Sequence, residues 1–97
     1  MKTENKFQRD LIRRLRLVFP ESVILKNDSS YLQGVPDLLL LVGNKWAALE
    51  CKKTKSAGHR PNQDYYIDKM NGMSFAAFVY PENLEEVIYE LQQTLGT

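Results

Sequence analysis

The sequence predicts an α/β fold in which one mixed sheet is flanked by helices, with a further helix at the C-terminal end. Three observations support this class. Segments near the two ends of the chain repeat apolar residues at spacings of three and four, which is typical of amphipathic helices. Short apolar segments between them suit strands, and Gly43-Asn44 is a two-residue turn signal between two of these strands. The 97 residues suffice for one domain, which we expect to span residues 1–97.

The first predicted element is a helix over Thr3–Val18, for which Thr3 is the N-cap and Pro20 is the stop. Its apolar stripe consists of Phe7, Leu11, Leu15, Val18 and Phe19. A short strand follows over Val23–Lys26. The polar composition of residues 27–34 then indicates a loop.

A β-hairpin is predicted next. Pro36–Val42 has five apolar residues in a row after Asp37, which suits a strand buried on both faces. The chain turns at Gly43-Asn44 and returns as a strand over Trp46–Lys53. A polar loop follows over residues 54–60.

The rest of the chain predicts a helix, a strand and a last helix. Pro61 suits the first position of a helix that runs to about Asn71, and Gly72 suits its end. An aromatic and apolar strand covers Ser74–Tyr80, and the last helix covers Glu82–Leu95. The apolar stripe of this helix consists of Leu84, Val87, Ile88, Leu91 and Leu95. The order is therefore α-β-β-β-α-β-α, and the crossover into the fourth strand should be right-handed.

Charge is unevenly distributed along a chain whose net charge is only +1. Residues 1–26 carry seven Lys or Arg against three acids, and residues 45–60 carry five against one. Residues 61–97 carry one lysine against six acids. The two basic segments could follow a phosphate backbone if they converge in space, although solvated faces explain them equally well.

Neither a membrane span nor an export signal is expected. No apolar run approaches the roughly 18 residues that a span needs, and no apolar stretch of signal-peptide type follows the first residues. The single cysteine, Cys51, cannot form an internal disulfide. The sequence therefore predicts a cytosolic protein.

The hairpin places two carboxylates opposite each other. With Gly43-Asn44 as the turn, counting outward along the two strands brings Asp37 opposite Glu50. Their Cβ atoms would then be about 5 Å apart on one face of the sheet. Because side chains alternate along a strand, Lys52 shares the face of Glu50.

Two facing carboxylates destabilise a fold unless a shared proton or a cation compensates for them. Oxygen ligands in this arrangement suit a divalent cation, which polarises a phosphate and lowers the pKa of an attacking water. A lysine beside them can orient the water or offset charge in the transition state. Asp37, Glu50 and Lys52 are therefore candidate residues for phosphodiester cleavage, although Pro-Asp and Glu-x-Lys are each common patterns by themselves.

Glu4 and Gln63 extend the candidate site. Helical periodicity places Glu4 at the centre of the first apolar stripe, and it places Gln63 on the stripe of the helix that begins at Pro61. A carboxylate that faces the core is costly unless it is paired or binds a cation. Each residue has an ordinary alternative, because Glu4 could turn outward at the helix terminus and Gln63 could be a capping or surface amide.

Basic side chains that lie opposite the first apolar stripe or in and beside the polar loop are the candidates for contact with nucleic acid. They are Arg9, Arg13, Arg16, Lys53, Lys55, His59 and Arg60. With one histidine and one cysteine, a zinc site is not expected. The side chain of Cys51 points away from Glu50 and Lys52, so we expect it in the core and not as a nucleophile.

The motifs resemble those of a known superfamily. Gly34-Val35-Pro36-Asp37, then Glu50-Cys51-Lys52, then Gln63 are similar in order and spacing to the motifs of PD-(D/E)XK nucleases. More narrowly, the chain resembles the stand-alone VRR-NUC domains of phage and prophage proteins. The resemblance covers essentially the whole chain, although the valine-arginine-arginine signature behind that name is not visible. It implies a restriction-endonuclease-like αβββαβ core.

The resemblance also implies roles for residues. The metal ligands would be Asp37, Glu50 and the main-chain carbonyl of Cys51, with Lys52 as the catalytic lysine. Glu4 would match the acidic residue of the first helix, which reaches the metal directly or through water. Gln63 would match the glutamine at the start of the following helix. Such nucleases depend on Mg²⁺ or Mn²⁺, resemble archaeal-type Holliday-junction resolvases, and tend to be homodimers that act on branched DNA.

The sequence therefore predicts a divalent-metal-dependent DNA endonuclease, selective for branched DNA such as four-way junctions or flaps. Its expected location is the cytoplasm of a bacterial or phage-infected cell. One alternative is a nuclease-like fold that binds DNA or a partner protein without cutting. Another is a subunit that needs a partner, since a homodimer would place two sites on one junction. The pairing surface would then be the first helix or the loop around Tyr31.

Overall fold

A four-stranded mixed sheet forms the centre of the protein, in a computed structural model that describes residues 3–96. The elements in chain order are α1 (Glu4–Val18), β1 (Val23–Lys26), β2 (Leu38–Val42), β3 (Lys45–Cys51), α2 (Pro61–Met73), β4 (Phe75–Val79), a 3-10 turn (Pro81–Asn83) and α3 (Leu84–Leu95). The predicted α/β class, with helices flanking a mixed sheet and a further C-terminal helix, is confirmed. Met1, Lys2 and Thr97 lie outside the described residues, and Lys2 belongs to the first basic segment.

The strands lie in the order β1-β2-β3-β4. β2 is antiparallel to both β1 and β3, whereas β3 and β4 are parallel. The predicted hairpin register is confirmed, because Leu38 pairs with Leu49 and the two strands stay in step as far as the turn. Gly43 has a φ of 61°, the left-handed conformation that the first central residue of a type II′ hairpin turn requires. This turn fixes the register that brings Asp37 opposite Glu50.

Different helices cover the two faces of the sheet. α1 and α3 share the larger core on one face, and α2 covers a smaller core on the other. The larger core is built from Phe7, Leu11, Leu15, Phe19, Leu38, Leu40, Ala47, Leu49, Cys51, Val79, Val87, Ile88, Leu91 and Leu95. Side chains alternate along β3, so Glu50 and Lys52 point toward α2 while the thiol of Cys51 is buried on the opposite face, as predicted.

β2, whose apolar run suited burial on both faces, is buried more completely on one face than on the other. Leu38 and Leu40 are 0% exposed, whereas Leu39 and Leu41 on the other face keep partial exposure. The reason is the position of α2, which packs against β3 and β4. A run of apolar residues does not reveal which neighbouring strands a helix will cover.

The end of α2 also differs from the prediction. α2 continues through Gly72 to Met73, and ends where the backbone N–H of Ser74 donates to the carbonyl of Met70. The hydroxyl of Ser74 donates to the carbonyl of Trp46, which ties this helix end to β3. The predicted N-cap of α1 is confirmed, since Thr3 Oγ1 accepts from the N–H of Lys6 at 3.1 Å.

The last helix begins at Leu84 and not at Glu82. Asn83 accounts for the difference, because its side chain accepts from the N–H of Tyr80 at 2.9 Å and donates to the carbonyl of Phe78 at 3.0 Å. These bonds hold the preceding residues in a 3-10 turn. Within residues 3–96, no helix combines the length and the apolar character that crossing a membrane requires.

Candidate active site

Three carboxylates from three different elements converge at one end of the hairpin. Glu4 lies in the first turn of α1, Asp37 directly precedes β2, and Glu50 lies near the end of β3. One oxygen from each lies within 4.8 Å of the others. Glu50 is only 3% exposed and Asp37 is partly buried. The structure therefore brings together the acidic residues that the hairpin register and the helical periodicity singled out.

Asp37 and Glu50 hold the two strands together where the β-ladder stops. The N–H of Asp37 donates to Oε1 of Glu50 at 3.1 Å, and the N–H of Cys51 donates to Oδ2 of Asp37 at 2.9 Å. Side-chain carboxylates thus take the place of backbone carbonyls as acceptors. This exchange explains why β2 begins at Leu38 and β3 ends at Cys51, although the predicted strands ran over Pro36–Val42 and Trp46–Lys53.

Gln63 links the carboxylate cluster to the lysine. Its Nε2 donates to Oε2 of Glu50 at 3.0 Å, and its Oε1 accepts from Nζ of Lys52 at 2.8 Å. The same oxygen accepts from the N–H of Arg60 at 3.1 Å, just before α2 begins. Lys52 is 7% exposed, and this bond occupies one of the three donors of its ammonium. Gln63 therefore both caps α2, which was one of its ordinary alternatives, and reaches the candidate site, so it is not a surface amide.

Local structure fixes the position of each of these side chains. The Thr3 cap starts α1 one residue before Glu4. Asn27 anchors the segment before β2, because its Nδ2 donates to the carbonyl of Pro36 at 2.7 Å and its N–H donates to the carbonyl of Asp37 at 2.8 Å. Pro61 begins α2, which places Gln63 in the first turn of that helix.

Burial dominates the electrostatics of the site. It raises the pKa of Glu50 to about 8, with a further contribution from the charge of Asp37, while the ammonium of Lys52 acts in the opposite direction. Burial also raises the pKa of Asp37, although the N–H of Cys51 and the charge of Lys52 oppose the change. The pKa of the buried Cys51 thiol is raised as well, which argues against a nucleophilic role.

The arrangement fits a hard divalent cation. Three carboxylate oxygens within 4.8 Å of one another supply the donor type that Mg²⁺, Mn²⁺ and Ca²⁺ prefer. A cavity of about 380 Å³ is lined by these carboxylates. Its lining includes residues that the sequence reading missed, namely Ser29, Ser30, Gln33 and Asn62. Their proximity to Asp37 or Gln63 in the sequence was the available signal.

Three of the predicted basic residues share one groove. Arg9, Arg13 and Arg16 on α1 lie beside Lys26 on β1, around a depression of about 360 Å³. Lys26 was not predicted, because nothing in the sequence shows that the outer face of α1 borders β1. The charge of Lys26 opposes the rise in the pKa of Asp37, which places this end of the groove near the carboxylates.

The polar loop places its basic residues differently. The ring of His59 stacks on Phe78 with centroids 3.8 Å apart, and its Nδ1 lies 3.0 Å from Oδ1 of Asp64. His59 therefore has partners within the protein. Arg60 lines the cavity. Lys53 and Lys55 are exposed in the loop, where the backbone N–H of Lys55 donates to the carboxylate of Glu82 at 3.2 Å.

Comparison with known proteins identifies the class of fold. No protein-family model and no curated protein matches the sequence. Among solved structures, a VRR_NUC domain matches with a TM-score of 0.72 and 19% identity, over 89% of this chain and 94% of that one. A second VRR_NUC domain protein matches with a TM-score of 0.71 and 19% identity, over 97% of this chain and 90% of that one.

A more distant neighbour is Hjc, a Holliday junction resolvase from the archaeal hyperthermophile Archaeoglobus fulgidus. It matches with a TM-score of 0.55 and 19% identity, over 78% of this chain and 67% of that one. These neighbours belong to the PD-(D/E)XK nuclease superfamily. At such identities the likeness shows the fold, so the nuclease-like fold implied by the motifs is confirmed.

Proposed function

We propose that this protein is a divalent-metal-dependent DNA endonuclease that selects branched DNA such as four-way junctions or flaps. The observation that carries the proposal is the cluster of Glu4, Asp37 and Glu50 within 4.8 Å, with Lys52 tethered beside it through Gln63. A fold shared with VRR_NUC domains supports it. Asp37 and Glu50 also join β2 to β3, but three carboxylates placed so close together are costly without a cation or protons to offset their charge.

Asp37, Glu50 and the main-chain carbonyl of Cys51 would hold Mg²⁺ or Mn²⁺, with Glu4 reaching the ion directly or through water. When bound, such an ion polarises the phosphate and makes a hydroxide-like nucleophile available at neutral pH. The backbone N–H groups of Asp37 and Cys51 orient the carboxylates, so the ligand geometry does not depend on mobile side chains.

Lys52 would act on the phosphate or on the attacking water. Its ammonium is almost fully buried, which strengthens its attraction for the negative charge that develops in the transition state. Gln63 cannot neutralise this ammonium, because an amide is uncharged. It holds Nζ by one hydrogen bond and leaves the remaining donors of the ammonium for the substrate.

The DNA on either side of the cut would lie along the basic groove, which is the depression between α1 and Lys26. Arg9, Arg13 and Arg16 recur along one side of α1 and face Lys26, so their charges could contact successive phosphates. In the polar loop, Arg60 lines the cavity, and Lys53, Lys55 and His59 would add contacts to the DNA. Contacts within the protein reduce the contribution of His59 most, because its ring already stacks on Phe78 and lies 3.0 Å from Asp64.

Selection of branched DNA is supported by the similarity to the Archaeoglobus fulgidus resolvase. A homodimer would place two copies of the site on one four-way junction and would explain paired incisions. The protein would act in the cytoplasm of a bacterial or phage-infected cell, in keeping with its single, buried cysteine.

Cleavage of defined DNA substrates tests the proposal. The protein is incubated with a four-way junction, a flap and a blunt duplex of matched length, with Mn²⁺, with Mg²⁺ and with a chelator. We expect metal-dependent cuts near the branch and little cutting of the duplex. Intact substrates under every metal condition would refute the nuclease function.

The second candidate is a module that binds DNA without cutting it. The groove of Arg9, Arg13, Arg16 and Lys26 favours this alternative, because the groove lies beside the carboxylates and could bind DNA without them. Calorimetry with Mn²⁺ separates the two. A binding module has no need for a metal site that depends on Asp37. Binding of Mn²⁺ that is lost in Asp37→Asn would favour the nuclease.

A further inference from the structure

We propose that Tyr31 is a stacking platform for an unpaired DNA base at the rim of the candidate active site, an inference that rests on the proposed function. Its side chain is 89% exposed, the highest value among the large hydrophobic side chains of residues 3–96. An aromatic ring that buries so little of its surface contributes little to folding. Its position relative to the cavity suggests a role in binding instead.

The turn that carries Tyr31 forms one wall of the cavity. Residues 29–30 before it and residues 33–34 after it line the same cavity as the three carboxylates. The ring of Tyr31 therefore projects from a short segment whose two flanks face the candidate metal site. Tyr31 is not among the residues that line the cavity, so its ring would meet a nucleic acid beside the cavity and not inside it.

Hydrogen bonds give the turn a defined shape. The Asp28 carboxylate accepts from the N–H of Ser30 at 2.9 Å and from its hydroxyl at 2.6 Å, and the carbonyl of Asp28 accepts from the N–H of Tyr31 at 3.2 Å. After the turn, Gly34 lies against Asn62 at the start of α2, so closely that a Cβ would be 2.6 Å from Cγ of Asn62. The ring is thus presented from an anchored turn.

Stacking on such a ring requires a base whose face is open. In a continuous duplex, both faces of each base are already covered by neighbouring bases. The single strand of a flap offers unpaired bases, which stack on aromatic side chains with little dependence on their identity. Tyr31, with the half-exposed Leu32 beside it, would therefore favour flaps over fully paired substrates without reading their sequence.

The test uses a flap DNA with 2-aminopurine at the first unpaired position and a blunt duplex of equal length, both in a chelator so that no cutting occurs. We expect Tyr31→Ala to weaken flap binding by about tenfold, to abolish quenching of the fluorophore, and to change duplex binding by less than about twofold. Tyr31→Phe keeps the ring and should behave like the wild type. Tyr89→Ala is the matched control, since Tyr89 is 62% exposed on α3.

Equal flap binding and equal quenching in the wild type and in Tyr31→Ala would overturn the inference, even if the wild type cuts branched DNA with Mn²⁺. Ring-dependent quenching in a protein that never cuts would sustain the inference and refute the nuclease function. Sedimentation of the same variant gives a further readout. A dimer that dissociates on Tyr31→Ala would mean that the ring covers a second copy of the chain, which would also overturn the inference.

Discussion

Nζ of Lys52 and Oε1 of Gln63 lie 2.8 Å apart, and this hydrogen bond ties the buried ammonium at the end of β3 to the first turn of α2. The amide group of the same glutamine donates to Glu50 at 3.0 Å. One uncharged side chain therefore sets the positions of a cation and a carboxylate that would act on the same phosphate. The start of α2 is part of the site for this reason.

Replacing Gln63 by alanine should slow cleavage by about tenfold to a hundredfold at saturating Mn²⁺, because Lys52 and Glu50 lose the group that orients them. The effect should fall on kcat more than on KM, since DNA contacts elsewhere persist. Single-turnover cleavage of a four-way junction measures it. Gln93→Ala, an exposed amide on α3, is the control and should leave the rate unchanged. A rate for Gln63→Ala equal to that of wild type would exclude the positioning role.

The stability of the metal-free protein should decrease as pH rises from about 4.5 to about 8. The unfolded chain ionises Glu50 near its ordinary pKa of 4.5, whereas the native state keeps the proton up to about 8. Between these values the native state binds more protons, so the free energy of unfolding falls by up to about 1.4 kcal/mol per pH unit. The contribution is fully present below pH 4.5 and lost above pH 8.

Urea denaturation in a chelator at several pH values measures this decline. Glu50→Gln should flatten it, because the variant has no group to titrate at that position. Saturating Mn²⁺ should also remove it, since a bound cation requires the ionised carboxylate. Stability that stays level or increases over this range would contradict the buried, protonated state of Glu50.

Neutralising the groove should reduce the salt dependence of DNA binding. Each of Arg9→Ala, Arg13→Ala, Arg16→Ala and Lys26→Ala that removes a phosphate contact should lower the slope of log K against log salt by about 0.9. Arg14→Ala is the matched control on the same helix. Its guanidinium makes a bidentate pair with Glu85 at 2.7 and 2.9 Å and so faces α3. Equal slopes for Arg14→Ala and the groove variants would show that the groove does not follow DNA.

Gly34→Ala should destabilise the protein by about 1–3 kcal/mol. The residue has a φ of 88°, and a Cβ there would lie 2.8 Å from the backbone carbonyl carbon of Asn62, which cannot easily move. Gly58→Ala is the control, because no atom lies within 4 Å of its Cβ position and its φ is not left-handed. Chemical denaturation compares them. A Gly34→Ala variant as stable as Gly58→Ala would mean that the loop is free to leave α2.

Local patterns were sufficient to predict the residues that meet at the carboxylates. The Gly43-Asn44 turn sets the register of the hairpin, and this register places Asp37 opposite Glu50 without help from contacts between distant segments. Helical periodicity placed Glu4 and Gln63 on the apolar stripes of their helices, and both side chains do reach this site. Both inferences depend on short stretches of chain, where geometry is set by periods of 2.0 and 3.6 residues.

Contacts between distant segments were not predictable in the same way. Lys26 joins the arginines of α1 only because the helix lies beside β1, and His59 stacks on Phe78 across 19 positions of sequence. The partial exposure of Leu39 likewise depends on where α2 lies over the sheet. Each of these features follows from how the elements pack against one another. The periodicity of a single helix or strand does not show which other elements it will contact.

Cleavage of a four-way junction by wild type and by Lys52→Ala, each with saturating Mn²⁺, tests the central claim most directly. Lys69→Ala, an exposed lysine on α2, is the control, and calorimetric Mn²⁺ binding and circular dichroism establish that each variant is folded and loaded. We predict metal-dependent cutting by the wild type and by Lys69→Ala, and a loss of at least about a hundredfold in Lys52→Ala. A folded, metal-binding Lys52→Ala protein that cuts at the wild-type rate would contradict the account.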